Sequence, residues 1–245
     1  MTNRLRPLWQ VGLAIALGVV FTIGFAALGL WQVERLRWKE DLVARVEARV
    51  HADPVAWSGI LSLVPADQEY RRVTASGRFD HGAETLVKAV TELEPGYWVL
   101  TPLRTGDGAT VLVNRGFVPP DRADPGTRIA GQGGDEVTVT GLIRLTEPDG
   151  AFLRANDPAV DRWYSRDVAV IAKAKGLGSV APFFIDANAT PQAGGYPVGG
   201  LTVIRFRNTH LAYALTWFAL AAMAAAGVLM LVRQERRLRA GPGHR

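Results

Sequence analysis

Two long stretches without a charged residue set the frame for this chain: about Leu8 to Leu30 and about Leu211 to Val232. At 1.5 Å rise per residue each makes a helix roughly 33–35 Å long, enough for a hydrocarbon core of about 30 Å with some tilt. Between them, about Glu34 to Arg207, lies a polar segment sized for one ordinary globular domain. Arg4 and Arg6 resemble a signal-peptide n-region and Ala26-Ala27 part of a cleavage site. The run is too long for a typical signal-peptide core, however, and helical sequence follows it, so an uncleaved anchor is expected.

Basic residues set the expected orientation. Arg4 and Arg6 precede the first run; Arg233, Arg236, Arg237, Arg239 and Arg245 follow the second. The positive-inside rule places both ends in the cytoplasm or its equivalent, with the central domain outside. Arg35, Arg37, Lys39, Arg205 and Arg207 argue the other way, but they belong to a long translocated domain where the rule weakens. The chain has no cysteine, which excludes disulfides, thiolate metal sites and cysteine nucleophiles. Its net charge of +5 is spread along the sequence without a basic patch or aromatic motif, so no nucleic-acid partner is expected.

After the first run, Val33, Leu36, Leu42, Val43, Val46 and Val50 recur at near-helical spacing, and no Gly or Pro intervenes before Pro54. A helix is predicted to continue out of the membrane to about Val50, with Trp31 and Trp38 at the water boundary. Short β-like segments follow: Tyr70 to Phe79, Glu84 to Val90, Tyr97 to Arg104, Thr110 to Val118, Glu136 to Leu145, Val180 to Asn188 and Leu201 to Phe206. Asp80-His81-Gly82 and Gly106-Asp107-Gly108 read as hairpin turns, and Asp167 to Lys175 as a short helix. Most strands alternate, which predicts an antiparallel sheet or partly closed barrel.

Enzyme signatures are scarce. There is no nucleophile elbow, phosphate-binding glycine loop or histidine pair at metal spacing. His51, His81 and His244 read as solvated or helix-end residues, and Asp186 as a turn or capping residue. His210 stands apart. It opens the second apolar run, and Tyr213 and Trp217 follow at i+3 and i+7, on one helical face. Two readings stay open on residues alone. His210 is an interfacial histidine bonded to water or lipid headgroups, with Tyr213 and Trp217 as belt residues. Alternatively it is an axial ligand to haem iron, with Trp217 about 10 Å deeper against the porphyrin. Without a CxxCH motif, such a haem would be held non-covalently. Gly18, Gly24 and Ala27 on the first span, with Ala222, Ala226 and Gly227 on the second, permit close helix packing.

Several stretches, taken in order, resemble the surfeit locus protein family. They are Leu28-Gly29-Leu30-Trp31-Gln32 with Arg35 and Trp38-Lys39, Tyr70-Arg71, Gly77 to His81, and Val111 to Pro119. Arg144 to Glu147, Trp163 to Asp167, Phe184 to Asn188, and Arg207 to Leu211 with Tyr213, Thr216 and Trp217 complete the set. The resemblance implies an assembly factor for haem–copper cytochrome c oxidase, in the inner membrane, without enzymatic activity. It implies haem a as a transient cofactor, tied to His210 and Trp217. The implied partners are the oxidase catalytic subunit, haem a synthase and membrane lipid. Trp31, Gln32 and Arg35 are expected to face the same boundary zone as His210. Arg115 is expected to pair with a buried carboxylate, with contact to a partner or a haem propionate as the alternative. A haem-independent scaffold for the immature catalytic subunit and a membrane-anchored periplasmic hydrolase are the competing functions.

The expected architecture is two transmembrane helices bracketing an external β-rich α+β domain. Residues 1–7 form a cytoplasmic N-terminus, 8–30 the first span, 31–50 the helical extension, 51–207 the external domain, 208–232 the second span and 233–245 a basic tail.

Overall fold

The computed structural model describes residues 7–148, 154–204 and 206–240. They divide into two compact units: the chain up to Ala44 together with the segment after residue 205, and Arg45–Ile204.

The first unit is a pair of helices, α1 (Leu8–His51) and α4 (His210–Arg239), both long and apolar enough to cross a membrane. The predicted extension is present, since α1 runs without interruption to His51. The helices pack antiparallel. Buried and half-buried positions recur on α1 at Val11, Ile15, Gly18, Thr22, Phe25, Gly29, Gln32, Leu36 and Lys39. On α4 they recur at His210, Ala214, Trp217, Ala221, Ala224, Val228, Leu231 and Glu235. Steps of three and four average 3.5 residues, the repeat of a left-handed helix pair. Of the small residues expected at the contact, only Gly18 lies on this seam; Gly24, Ala27, Ala222, Ala226 and Gly227 do not. A Cβ added at Gly24 or Gly227 would meet nothing within 4 Å. The heptad period, rather than the presence of a small side chain, decides which residues meet. Gly29 does allow close approach, because its added Cβ would lie 2.6 Å from the Phe218 ring. Away from the seam, Val20, Phe21, Ile23, Leu30, Leu215 and Met230 are exposed, the surface a lipid-facing helix presents.

The second unit is a mixed β-barrel. Its strands are β1 (Val55–Ala56), β2 (Arg72–Phe79), β3 (Thr85–Val90), β4 (Pro95–Thr105), β5 (Thr110–Val118), β6 (Val137–Leu145) and β7 (Phe183–Ala187). The order β1-β2-β6-β7-β5-β4-β3 closes on itself because β2 also pairs with β4, at Gly77↔Thr105 through Phe79↔Leu103. The ring is thus β2, β6, β7, β5 and β4, with β3 laid on the first half of β4 and β1 on the start of β2. Most pairings are antiparallel, as alternation predicts, but β5–β7 and β1–β2 are parallel. The sequence marks the parallel pair: Phe183-Phe184-Ile185 is continuously apolar and covered on both faces.

Two cores result. Inside the barrel lie Val73, Leu103, Val111, Val113, Ile143, Phe183 and Ile185. Besides the one-turn α2 (Pro65–Gln68), the unit contains the helix α3 (Val168–Ala174), whose N-terminus is capped by Asp167 accepting from the Val170 N–H; outside the barrel, Val87, Leu100, Leu112, Trp163 and Phe184 pack against its Ile171. Strand β5 feeds both cores alternately, so all nine of its residues are buried. Full burial of one such side chain is worth about 1.5–3 kcal/mol.

The Gly106-Asp107-Gly108 hairpin forms between β4 and β5, with Asp107 accepting from the Ala109 N–H at 3.1 Å. Asp80-His81-Gly82 does not make a hairpin. It is a 3₁₀ turn between β2 and β3, which both pair with β4 rather than with each other. The predicted last strand is absent as well, since residues 201–204 and 206 carry no strand. The ring has already closed, and Thr202 spends its hydroxyl on Asp186 at 3.0 Å.

Candidate functional site

Because α4 begins at His210 and runs antiparallel to α1, its first turn lies beside Gln32. The His210 Nδ1 is 2.7 Å from Gln32 Oε1. An amide oxygen only accepts, so Nδ1 donates in this contact and Nε2 is the ring nitrogen left over. The His210 ring is half-buried and Gln32 is 9% exposed. No hydrogen bond joins Nε2 to another described residue. A neutral imidazole held at one nitrogen by a buried acceptor, with the other nitrogen available, is how metal-ligating histidines are usually prepared.

One heptad further into α4, Trp217 stacks on Phe25 with centroids 5.7 Å apart and planes at 25°. Phe25 in turn stacks on Phe21 at 5.9 Å. The three rings form one continuous apolar stack across the two helices. Tyr213 is not part of it. At 56% exposure it points off the seam, because i+3 lies about 60° round the helix from His210. Trp31 is also exposed, at 52%. The Arg35 guanidinium lies 4.6 Å over the Trp38 ring, which is itself exposed. Of the three boundary residues predicted on α1, the structure brings Gln32 directly to His210. The residue chemistry fits a haem: an imidazole with a fixed tautomer, an open nitrogen and aromatic faces nearby.

The barrel holds a second polar constellation, one that sequence reasoning missed. Asp186, 4% exposed, sits in register with Asn114 across the parallel β5–β7 pair. It accepts from Asn114 Nδ2 at 2.8 Å, Arg166 Nη1 at 3.1 Å and Thr202 Oγ1 at 3.0 Å. Arg144 approaches at 3.7 Å and also pairs with Glu69 at 3.4 Å. Arg166 reaches Glu147 through Nε and Nη2. Burial pushes the Glu147 carboxyl up, but the Arg166 guanidinium bonded to it reverses this and holds it below the usual range. For Arg166, burial works against the charge, and Glu147 and Asp186 raise its pKa despite that. Asp186 is therefore the hub of a buried charge network rather than a turn residue. The available signal was a carboxylate ending an otherwise apolar strand.

Arg115 departs from its expectation. It is 3% exposed and within the barrel unit, but no described carboxylate lies within 4 Å of it. It donates instead to the Gly131 carbonyl and to Gln192 Oε1, and lies 4.8 Å over the Phe79 ring.

Two helices of membrane-crossing length, one before and one after a closed mixed β-barrel in the chain, with a histidine at the start of the second helix bonded to a glutamine of the first, define a helix-flanked barrel protein. The SURF1 family model matches residues 19–222. Surfeit locus protein 1 of Mus musculus is 40% identical over 217 residues, covering 80% of this chain and 68% of the relative. The Homo sapiens protein of that name is 39% identical over 218 residues, covering 80% and 69%. A SURF1-like protein of Monosiga brevicollis is 40% identical over 238 residues, covering 89% and 88%. The chain belongs to the SURF1 family.

Proposed function

We propose that this protein is an assembly factor for haem–copper cytochrome c oxidase that binds haem a on its helix pair and hands it to the catalytic subunit. Both helices span the inner membrane, the basic ends lie in the cytoplasm and the barrel lies in the periplasm. The protein catalyses no reaction. Family membership supports the assembly role. The observation that carries the haem reading is the His210–Gln32 hydrogen bond. It engages Nδ1 with protein and leaves Nε2 for iron, while the Phe25–Trp217 stack, one heptad further along the helix, adds apolar surface for the macrocycle to pack against.

The haem supplies a single chemical property here, an iron that accepts a neutral nitrogen donor. Gln32 acts as a positioning residue: it fixes the imidazole tautomer and ring orientation. A haem held by His210 without a covalent link would suit transient custody.

The test is the visible spectrum and haem a content of the full-length protein purified from cells that make haem a. His210→Ala is expected to lose the Soret band. Gln32→Leu is expected to weaken haem affinity about 10–100-fold, as loss of an outer-shell partner does. An unchanged band in His210→Ala rejects this ligand. Full oxidase assembly supported by a haem-free His210→Ala protein would leave a scaffold role alone.

A further inference from the structure

Arginines inside the barrel unit come in two kinds. Arg128 is paired bidentately with Glu84, and Arg166 is paired with Glu147 and Asp186. Arg115 is as deeply buried, at 3% exposed, yet its polar partners among the described residues are neutral. Nη2 donates to Gly131 O and Gln192 Oε1, Nη1 approaches His81 Nδ1 at 3.5 Å, and buried Nε has no hydrogen-bond partner. The carboxylate that acts on Arg115 from a distance is Glu84, whose two oxygens are both bonded to Arg128, so the Arg115 guanidinium has no bonded counter-charge among the described residues, a costly arrangement that a bound anion would relieve.

A cavity of about 380 Å³ opens beside it, lined among others by Phe79, His81, Arg115, Val137, Thr138 and Thr190. This volume is at the small end of the range for small-molecule sites. Its lining combines the apolar Phe79, Val137 and Val139 with the Arg115 cation, the His81 imidazole and the Thr138 and Thr190 hydroxyls, and Arg115 lies 4.8 Å over the Phe79 ring. Asp135 also lines the cavity but forms no ion pair with Arg115 within 4 Å.

We propose that this cavity binds a small organic monocarboxylate. Arg115 and His81 receive the carboxylate, and Phe79, Val137 and Val139 pack its short apolar body. The site lies wholly in the barrel unit and does not depend on the haem reading. Two consequences support it. Desolvation lowers the Arg115 pKa to about 10, a deficit that an anion beside it would offset. Burial, then the Arg115 and Arg128 charges, hold His81 below the usual histidine range, against the opposing pull of the Gly133 carbonyl, 3.2 Å from Nε2, and of Glu84. A bound carboxylate would raise that pKa. Binding then takes up protons and tightens as pH falls.

The experiment titrates full-length protein in detergent micelles with butyrate, butyramide and inorganic phosphate. Histidine is isotope-labelled, and the His81 resonance is identified with His81→Gln. Butyrate is expected to shift the His81 resonance saturably, with half-saturation on the order of 1 mM, a reasonable affinity for so small a ligand. Butyramide is expected to do nothing, and Arg115→Met to abolish the shift. Should Arg115→Met not fold, Arg115→Lys keeps a cation but not the fork and should bind at least ~10-fold more weakly. No saturable shift with butyrate overturns the proposal. So does an equal response to butyramide, a response to phosphate alone, or butyrate binding unchanged in Arg115→Met or Arg115→Lys.

Discussion

Replacing Asp186 with Ala should markedly destabilise the barrel, and the network predicts by how much. The carboxylate is 4% exposed and accepts from Asn114, Arg166 and Thr202. Removing one partner of a buried charge pair costs about 3–5 kcal/mol, because the charge left behind has lost its solvation. Two facts place the cost near the lower end. Arg166 keeps Glu147, and Arg144 keeps Glu69. A loss of about 3 kcal/mol is a large part of the ~5–15 kcal/mol that holds a domain together. With a urea slope of about 1–3 kcal/mol per molar, the midpoint should fall by roughly 1–3 M. The assay is urea unfolding of the full chain in micelles, followed by fluorescence of Trp57 and Trp163, buried in the two cores of the barrel unit. Asp121→Ala is the control. That side chain is 76% exposed, and its loss should stay within about 0.5 kcal/mol. If Asp186→Ala unfolds at the same urea concentration as Asp121→Ala, the network contributes no more than a surface pair and the reasoning fails.

Two further predictions concern backbone and protons. Gly116 has φ +134°, and an added Cβ would stand 2.2 Å from the Val198 carbonyl oxygen. Gly116→Ala should therefore cost about 1–3 kcal/mol from the backbone alone, with more from the collision, and break the Phe117↔Val198 bridge; slowed amide exchange retained at Phe117 would contradict this. The barrel should also lose stability in acid in two stages. The folded pKa of His81 lies below its ordinary 6.5. The unfolded chain then binds the proton first, and stability falls as pH drops below that value. Glu147 is held below its ordinary 4.5, so its contribution is present above that value and is lost as pH falls through the folded one. Urea midpoints measured against pH should show both stages, and His81→Gln should remove only the upper one.

The membrane frame was legible because it rests on length and the absence of charge, which need no partner. The helical extension was legible for a similar reason: no Gly or Pro stood in its way. Strand existence followed from period two, but pairing did not. β7 threads between β6 and β5, and nothing local in Phe183–Ala187 tells which strands flank it. Hairpin spacing misled at Asp80-His81-Gly82 because a turn looks the same whether its strands pair or diverge. At the candidate site, the sequence marked His210 and Trp217 by their place at the head of an apolar run. That Gln32 is the partner of His210, while Tyr213 turns away, depends on the 3.5-residue seam. The two hydropathy runs show this seam only when aligned antiparallel. A buried arginine ordinarily has a bonded carboxylate; that Arg115 instead donates to the Gly131 carbonyl and Gln192 depends on the fold bringing residues 16 and 77 positions away against it, which no local pattern marks.

The most direct test of the haem reading is to find the nitrogen on the iron. Full-length protein labelled with ¹⁵N only in histidine and loaded with ferric haem a should show hyperfine coupling from a directly ligated histidine nitrogen. That coupling should vanish in His210→Ala reloaded with the same haem. Haem bound without any histidine coupling, or identical coupling in His210→Ala, would contradict the account.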